Sequence, residues 1–256
     1  MNENKKSKRQ ERRNKAQQRE RSSRLRTMGL IVIGVAILVF LFISQQAKPI
    51  ASIVTVEPRT RPSPDHNSIG DPKAPIQIVE YADFQCPFCK QFYNDTETSL
   101  TENFVKTGKI YFTYHSAGNW VSSNIGGVNT ESQDAALAAY CAGDQNKFWE
   151  MHDALYSNNR DAENQGSFTG KRLTAIAASI KLDMTAYQSC YDKGKYKDQV
   201  QQDFKDATAA GITGTPFFVM TYKVKGETKT ETIEGAESIN TFQQKIEAAL
   251  LIADKQ

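Results

Sequence analysis

Hydrophobic and polar positions change rhythm several times along the chain, and each change marks an element. From Thr27 to Ala47 twenty-one residues pass without a charge, with Met28-Gly29-Leu30-Ile31-Val32-Ile33-Gly34-Val35-Ala36-Ile37-Leu38-Val39-Phe40-Leu41-Phe42-Ile43 as the apolar centre. A helix of about 20 such residues has the length that crosses a bilayer. Pro49, Pro58, Pro62, Pro64, Pro72 and Pro75 then forbid a continuous helix over 45–75. Within that stretch Ile53-Val54-Thr55-Val56 is extended, as a spacer or as an added edge strand. Residues 76–82 are apolar on both faces and predict a central strand. Pro87 opens a helix that runs to about Lys106 and is stopped by Gly108. Ile110-Tyr111-Phe112-Thr113-Tyr114 predicts a second strand. From about 120 to 210 the strand signal vanishes, and helical periodicity predicts helices over 131–142, 146–156, 171–180, 184–193 and 195–209. Two further strands, 217–222 and 228–233, pair across Lys225-Gly226, and an amphipathic helix covers 239–252. The chain is therefore α/β: strand, helix, strand, helical insert, strand, strand, helix.

Charge separates the first residues from the rest. Residues 1–27 hold eleven Lys and Arg against three Glu, a net of +8; the whole chain is +3, so 28–256 carry −5. The basic character belongs to the tail, and a nucleic-acid partner is not expected from it. The positive-inside rule keeps this tail cytoplasmic and sends the body across the membrane. The tail is long for a cleaved secretory signal, and no clear small-x-small site follows Ile43. Residues 28–47 therefore read as an uncleaved signal anchor in contact with membrane lipid, followed by a linker over 48–65. Nothing polar interrupts the apolar run, which argues against a buried core helix. Either export reading puts Cys86, Cys89, Cys141 and Cys190 in a compartment where disulfides persist.

Four cysteines allow three pairings. The tight spacing of Cys86-Pro87-Phe88-Cys89 makes 86–89 with 141–190 the obvious one. A bridge closing four residues stabilises by about 2 kcal/mol at most, and one closing about 50 residues by roughly 4 kcal/mol. The short pair is thus better explained by chemistry, and the long one by structure. At the start of a helix, unpaired amides and the helix dipole stabilise a thiolate, which makes Cys86 the exposed nucleophile. Cys89, one turn on, is the resolving thiol. No second Cys-x-x-Cys or His pair completes a zinc site, and no metal or cofactor is expected beyond the redox disulfide.

Here the chain resembles a known family. Glu80-Tyr81-Ala82-Asp83-Phe84-Gln85-Cys86-Pro87-Phe88-Cys89 resembles the active-site region of DsbA-like thiol–disulfide oxidoreductases, and Gly214-Thr215-Pro216-Phe217-Phe218-Val219 resembles their cis-proline loop and following strand. Ala138-Ala139-Tyr140-Cys141-Ala142 with Lys147-Phe148-Trp149-Glu150-Met151-His152-Asp153 is similar to the helical insert of the same group. The resemblance runs from about residue 66 to the C-terminus. It implies a thioredoxin fold over 66–256, with the insert at about 120–210 between its βαβ and ββα halves. It implies a cis peptide at Thr215-Pro216 facing the dithiol, where Thr215, Pro216, Pro87 and Phe88 meet the substrate. It also implies that Glu80 is buried beneath the cysteines and relays protons to Cys89. Asp83 is expected on the loop surface. Phe84 and Phe88 are expected to offer apolar surface to unfolded clients. His66, His115 and His152 read as packing or surface residues rather than ligands, and Phe148, Trp149 and Tyr156 as core.

Together these readings describe a single-pass protein of a bacterial cell membrane with an extracytoplasmic catalytic domain. It would form disulfides in exported, thiol-bearing proteins and be reoxidised by a quinone-linked membrane partner. The alternatives are a reductase or isomerase of the same fold, or a thioredoxin-like binding module without turnover. Phe88 adds no charge or donor between the cysteines, so the direction of electron flow stays open.

Overall fold

The computed structural model describes residues 28–39, 52–118, 120–121, 130–161 and 163–254. The chain divides into two compact units, Met1–Ile50 and Ala51–Gln256. In the first, residues 28–39 are helical, and apolar side chains such as Leu30, Ile33 and Ile37 are exposed. The basic tail 1–27 and the second half of the expected anchor, 40–47, lie outside the described residues. Among the described residues no helix is long and apolar enough to cross a membrane.

The second unit is built on a five-stranded sheet with strand order β1-β3-β2-β4-β5. β2 (Ile76–Ala82) lies parallel to β3 (Ile110–Ser116) and antiparallel to β4 (Phe217–Val224), and β5 (Glu227–Glu234) forms a hairpin with β4. At the hairpin tip Lys225 and Gly226 both have positive φ, 53° and 82°, the backbone that a two-residue turn needs between twisted strands. The Asp254 carboxylate accepts from both of their amides at 2.7 Å, which fixes the turn to the end of the chain.

Alternation along the strands assigns the two faces. Tyr81 and Phe217, with Val79 and Val219 beside them, pack against Ala207. Ala207 lies on α7 (Lys197–Ala209). Ile76, Ile78, Glu80 and Ala82 take the opposite face, with Phe112, Tyr114, Phe218 and Met220 as their register partners. That face is covered by α1 (Pro87–Asp95) and α8 (Ile239–Ile252). Phe92, Phe218 and Phe242 form a triangle there with ring centroids 4.7, 4.9 and 5.6 Å apart. The period of two thus drives Glu80 into the apolar core under α1.

The insert supplies α3 (Glu131–Gly143), α4 (Phe148–Asn158), α5 (Gly170–Ser179), α6 (Met184–Asp192) and α7. α3 is buried nearly all round, and its alanines let its neighbours approach closely. Cys141 and Cys190 are bonded and tie α3 to α6. His152 is fully buried among Phe84, Tyr93, Tyr114, Trp149 and Tyr156. Phe84 itself is wholly buried, so it does not offer the client-facing surface expected of it. It stacks on Tyr114 at 5.1 Å and packs against Tyr156 at 5.0 Å.

Three local features differ from the sequence expectations. The helix expected from Pro87 to Lys106 breaks at Thr96 (φ −122°), whose hydroxyl donates to the Glu237 carbonyl at 3.0 Å. It resumes as α2 (Glu97–Leu100) and ends in a wider π-turn over Thr101–Val105. The stretch 53–56 is not a strand, because the Asn158 side-chain amide takes both backbone groups of Val54, at 2.8 and 2.9 Å. A two-residue edge strand, β1 (Ser68–Ile69), pairs antiparallel with β3 instead and is too short to leave a periodic signal.

Most of the expected linker is also part of the domain. The Arg59 amide donates to Asp153 at 2.9 Å, and its guanidinium lies 3.6 Å over the Tyr93 ring. Arg61, buried, grips both oxygens of Asp153 at 2.8 and 2.9 Å and reaches Glu97 at 2.5 Å. Against the burial that would raise it, the hydrogen bond from His152, then the charge and hydrogen bonds of Arg61, hold the Asp153 carboxyl far below the usual carboxylate range. Residues 48–51 lie outside the described residues.

Two stability measurements follow. Replacing Cys141 and Cys190 together with alanine should lower the unfolding free energy by about 4 kcal/mol, read from denaturant melts. Arg61→Met leaves Glu97 and Asp153 buried without their cation and should cost about 3–5 kcal/mol; an unchanged melt would show that the pair is not buried in solution.

Candidate active site

The dithiol sits where a buried strand hands the chain to a helix. After Ala82, the Asp83 carboxylate accepts from the Gln85 amide at 2.9 Å and the Val121 amide at 3.0 Å. Its carbonyl accepts from the Cys86 amide at 2.9 Å. Asp83 is therefore buried rather than on the loop surface, and burial lifts its carboxyl to about 6 against these hydrogen bonds. An Asp bonding two residues ahead is an ordinary turn-forming habit, and that signal was present in the sequence.

Cys86 takes the N-cap position of α1 with extended backbone (φ −68°, ψ 124°), and Pro87 opens the helix. No side-chain oxygen caps the first turn. N-cap positions ordinarily carry such an oxygen to satisfy the first free amides. Here the sulfur occupies that place. The Cys86 thiol is drawn down to about 7, first by the hydrogen bond from the Cys89 thiol, against burial, then by Thr215 and by the amides of Cys89 and Phe88. Both cysteines are free, so the structure describes the dithiol state. Cys86 is only 4 % exposed, so it is buried beneath the cis-proline loop rather than exposed as expected, and Cys89 is not exposed at all. Burial pushes the Cys89 thiol well above its ordinary value, and the neighbouring Cys86 and Glu80 push the same way.

The loop before β4 faces this pair. The Thr215-Pro216 peptide is cis, and the Thr215 carbonyl lies 3.2 Å from Cys86 Sγ, where it accepts from the protonated thiol. Pro87 and Phe88 stand exposed at the opening, Phe88 at 59 %. Glu80 is buried on the core face with Tyr114 and Phe218 beside it in register. Its carboxyl is raised well above the usual range by burial first, then by Glu97, against the pull of Arg61, and by Cys86. One of its oxygens, Oε2, has no hydrogen-bond partner. The structure thus brings Cys86, Cys89, Thr215, Pro216, Pro87, Phe88 and Glu80 to one place. Cys141 and Cys190 lie in the insert.

The insert also holds the site loop. Asn159 donates to the Phe84 carbonyl at 2.7 Å, and Gln85 accepts from the Asn164 amide at 2.7 Å and donates to Ser132 at 2.9 Å. Lys90 of α1 is tied to Asp161 at 2.6 Å. None of these contacts has a sequence signature, because each joins residues far apart in the chain. Among the described residues no group of three or more His, Cys, Asp and Glu is placed to hold a metal.

This architecture is shared with known proteins. Oxidised BdbD from Bacillus subtilis superposes with a TM-score of 0.60 at 23 % identity, covering 78 % of this chain and 99 % of that one. The α-DsbA1 of Wolbachia pipientis gives 0.60 at 23 % identity, covering 73 % and 92 %. In sequence the chain is 25 % identical over 158 residues to disulfide bond formation protein D of Bacillus subtilis, which is 61 % of this chain and 68 % of that protein. It is also 30 % identical over 175 residues to the Na(+)/H(+) antiporter NhaA 1 of Salinispora arenicola, spanning 68 % of this chain but only 24 % of that much longer protein. Relatives in sequence and fold thus include thiol–disulfide oxidoreductases of the DsbA and BdbD kind. The Thioredoxin_4 profile, described as thioredoxin, matches residues 63–247, and the chain belongs to the thioredoxin family.

Proposed function

We propose that this chain is an extracytoplasmic thiol–disulfide oxidoreductase that forms disulfides in exported proteins, held at a bacterial cell membrane by residues 28–47. The observation that carries the reading is the pairing of a thiol near neutrality, at the start of α1, with a wholly buried thiol one turn behind it.

In the oxidised state a client thiolate attacks Cys86 Sγ. The client–Cys86 bond forms, the Cys86–Cys89 bond breaks, and Cys89 leaves with the electron pair. A thiolate so deeply buried is costly, and Glu80, kept protonated by its apolar surroundings, supplies the proton. A second client thiolate then attacks the client sulfur of the mixed bond and releases Cys86, whose thiolate the free amides of α1 stabilise. The client has lost two electrons and the dithiol has gained them. Thr215 and Pro216 present backbone to an extended client, strand to strand, with Pro87 and Phe88 at the rim. A quinone-linked membrane partner takes the electrons and restores the disulfide. The Cys141–Cys190 bond stands outside this cycle.

One observation favours a reducing role as the second reading. A Cys86 thiol at about 7 is close to the ~7 of thioredoxin and far from the ~3.5 of the strongly oxidising DsbA. The equilibrium potential against glutathione decides: about −120 mV supports the oxidase and about −270 mV the reductase.

The activity itself has a direct test. Alkylation of the reduced protein should occur at Cys86 alone with a midpoint near pH 7. The oxidised protein should oxidise a reduced, unfolded model client. Cys86→Ser should abolish this, and Cys89→Ala, given a client that carries a disulfide, should attack that bond through Cys86, release one client thiol and accumulate the mixed disulfide. Glu80→Gln should slow disulfide exchange at pH 7 by about 10²-fold, with the deficit shrinking as pH rises and Cys89 ionises unaided. Absence of exchange with any thiol would leave a binding module. For the anchor, the full chain should remain in the membrane fraction through carbonate washing, while a chain starting at Ala51 should not.

A further inference from the structure

A groove of about 530 Å³ opens at the cis-proline loop that faces Cys86. Phe88 and Gln91 of α1 form one wall, Thr213 and Thr215 the floor, and Glu234 and Glu237 the other wall. The Gly235 amide donates to the Pro216 carbonyl at 2.8 Å, which holds the acidic wall against the cis-proline loop. Glu234 accepts from the Thr213 hydroxyl and Glu237 from the Thr241 hydroxyl, each at 2.9 Å. Both carboxylates therefore bond neutral hydroxyls, and among the described residues neither has a cationic partner within ion-pair distance. Lys90, the only lysine of α1, is already engaged with Asp161 and the Asn159 carbonyl. Lys245 of α8 is turned to Glu231.

A second feature marks the groove as built for a ligand. Thr215 is 6 % exposed and lines the floor, yet its hydroxyl, near enough to the Cys86 sulfur to favour the thiolate, has no nitrogen or oxygen partner. A buried hydroxyl without a partner costs free energy, and a bound chain's polar group can satisfy it.

We infer that this groove receives an extended client segment whose cysteine is flanked by Lys or Arg, and that Glu234 and Glu237 select for it. The inference rests on the exchange chemistry proposed above and adds its client preference. A client must arrive as a thiolate, and two uncompensated carboxylates lining the groove repel a bare anion. A neighbouring cation on the client cancels that repulsion, lowers the client thiol's own pKa and pairs with the acidic wall. Phe88 at the rim tolerates any apolar neighbour, so charge supplies the discrimination.

The test is a single-turnover reduction of the oxidised full chain by nine-residue peptides with one central cysteine flanked by Lys, Ser or Glu. The reaction is quenched with acid and read by mass, rates are expressed per thiolate, and each protein's rate with dithiothreitol serves as reference. At low salt the Lys peptide should react at least 10-fold faster than the Glu peptide, with Ser between. That ratio should fall toward unity in 0.5 M NaCl, and in the doubly substituted Glu234→Gln, Glu237→Gln protein at low salt. Equal rates for the three peptides, or a Lys preference that survives both salt and the substitutions, would overturn the inference while leaving the exchange reading intact. Failure of dithiothreitol and every peptide to reduce the protein would overturn the exchange reading itself.

Discussion

A helix cannot satisfy its own first amides, and the site depends on what meets them. At α1 no side-chain oxygen does so, and Cys86 Sγ stands in its place. The requirement reaches backwards into the loop, where Asp83 folds the chain so that Cys86 caps the helix. It reaches forwards one turn, where Cys89 is carried into the core. It also reaches across the sheet, since the same N-terminus points Cys86 at the Thr215 carbonyl. Uneven burial and acidity of two chemically identical thiols follow from one helix start.

Much of this was legible in the sequence because it is local. Strand β2, the hairpin at Lys225-Gly226 and the helix 239–252 follow from period, turn chemistry and amphipathicity, and the structure keeps those bounds closely. The thioredoxin fold with an inserted helical block was likewise readable from element order together with two separated motifs. What escaped was decided by single side chains acting at a distance. Asn158 took the backbone of Val54 and so decided between the spacer and the edge strand that the sequence left open. Thr96 bent a helix whose propensities were continuous. Asp83 looked like a surface acid because nothing in the sequence shows that the Val121 amide, thirty-eight residues away, turns toward it.

Charges inside the domain follow one rule with two outcomes. Asp153 is buried with Arg61 and remains charged. Glu80 is buried with one oxygen unpartnered and is held toward its neutral form. The first arrangement closes a structural joint between the segment before the sheet and helix α4. In the proposed cycle the second keeps a proton available for Cys89. The difference is a cation at hydrogen-bond distance, and it separates a structural carboxylate from a chemical one.

The bond between Cys141 and Cys190 has a meaning beyond fastening two helices. A molecule with the proposed exchange activity would also be exposed to its own chemistry. Exchange requires a thiolate to approach a sulfur in line with the bond it breaks. Cys141 is wholly buried between α3 and α6, and among the described residues no cis-proline loop faces this bond as Thr215-Pro216 faces Cys86, so no client thiol is presented to it while α3 and α6 stay packed. The domain can pass through any number of redox cycles with its own staple insulated, and reshuffling would have to wait for local unfolding of the insert.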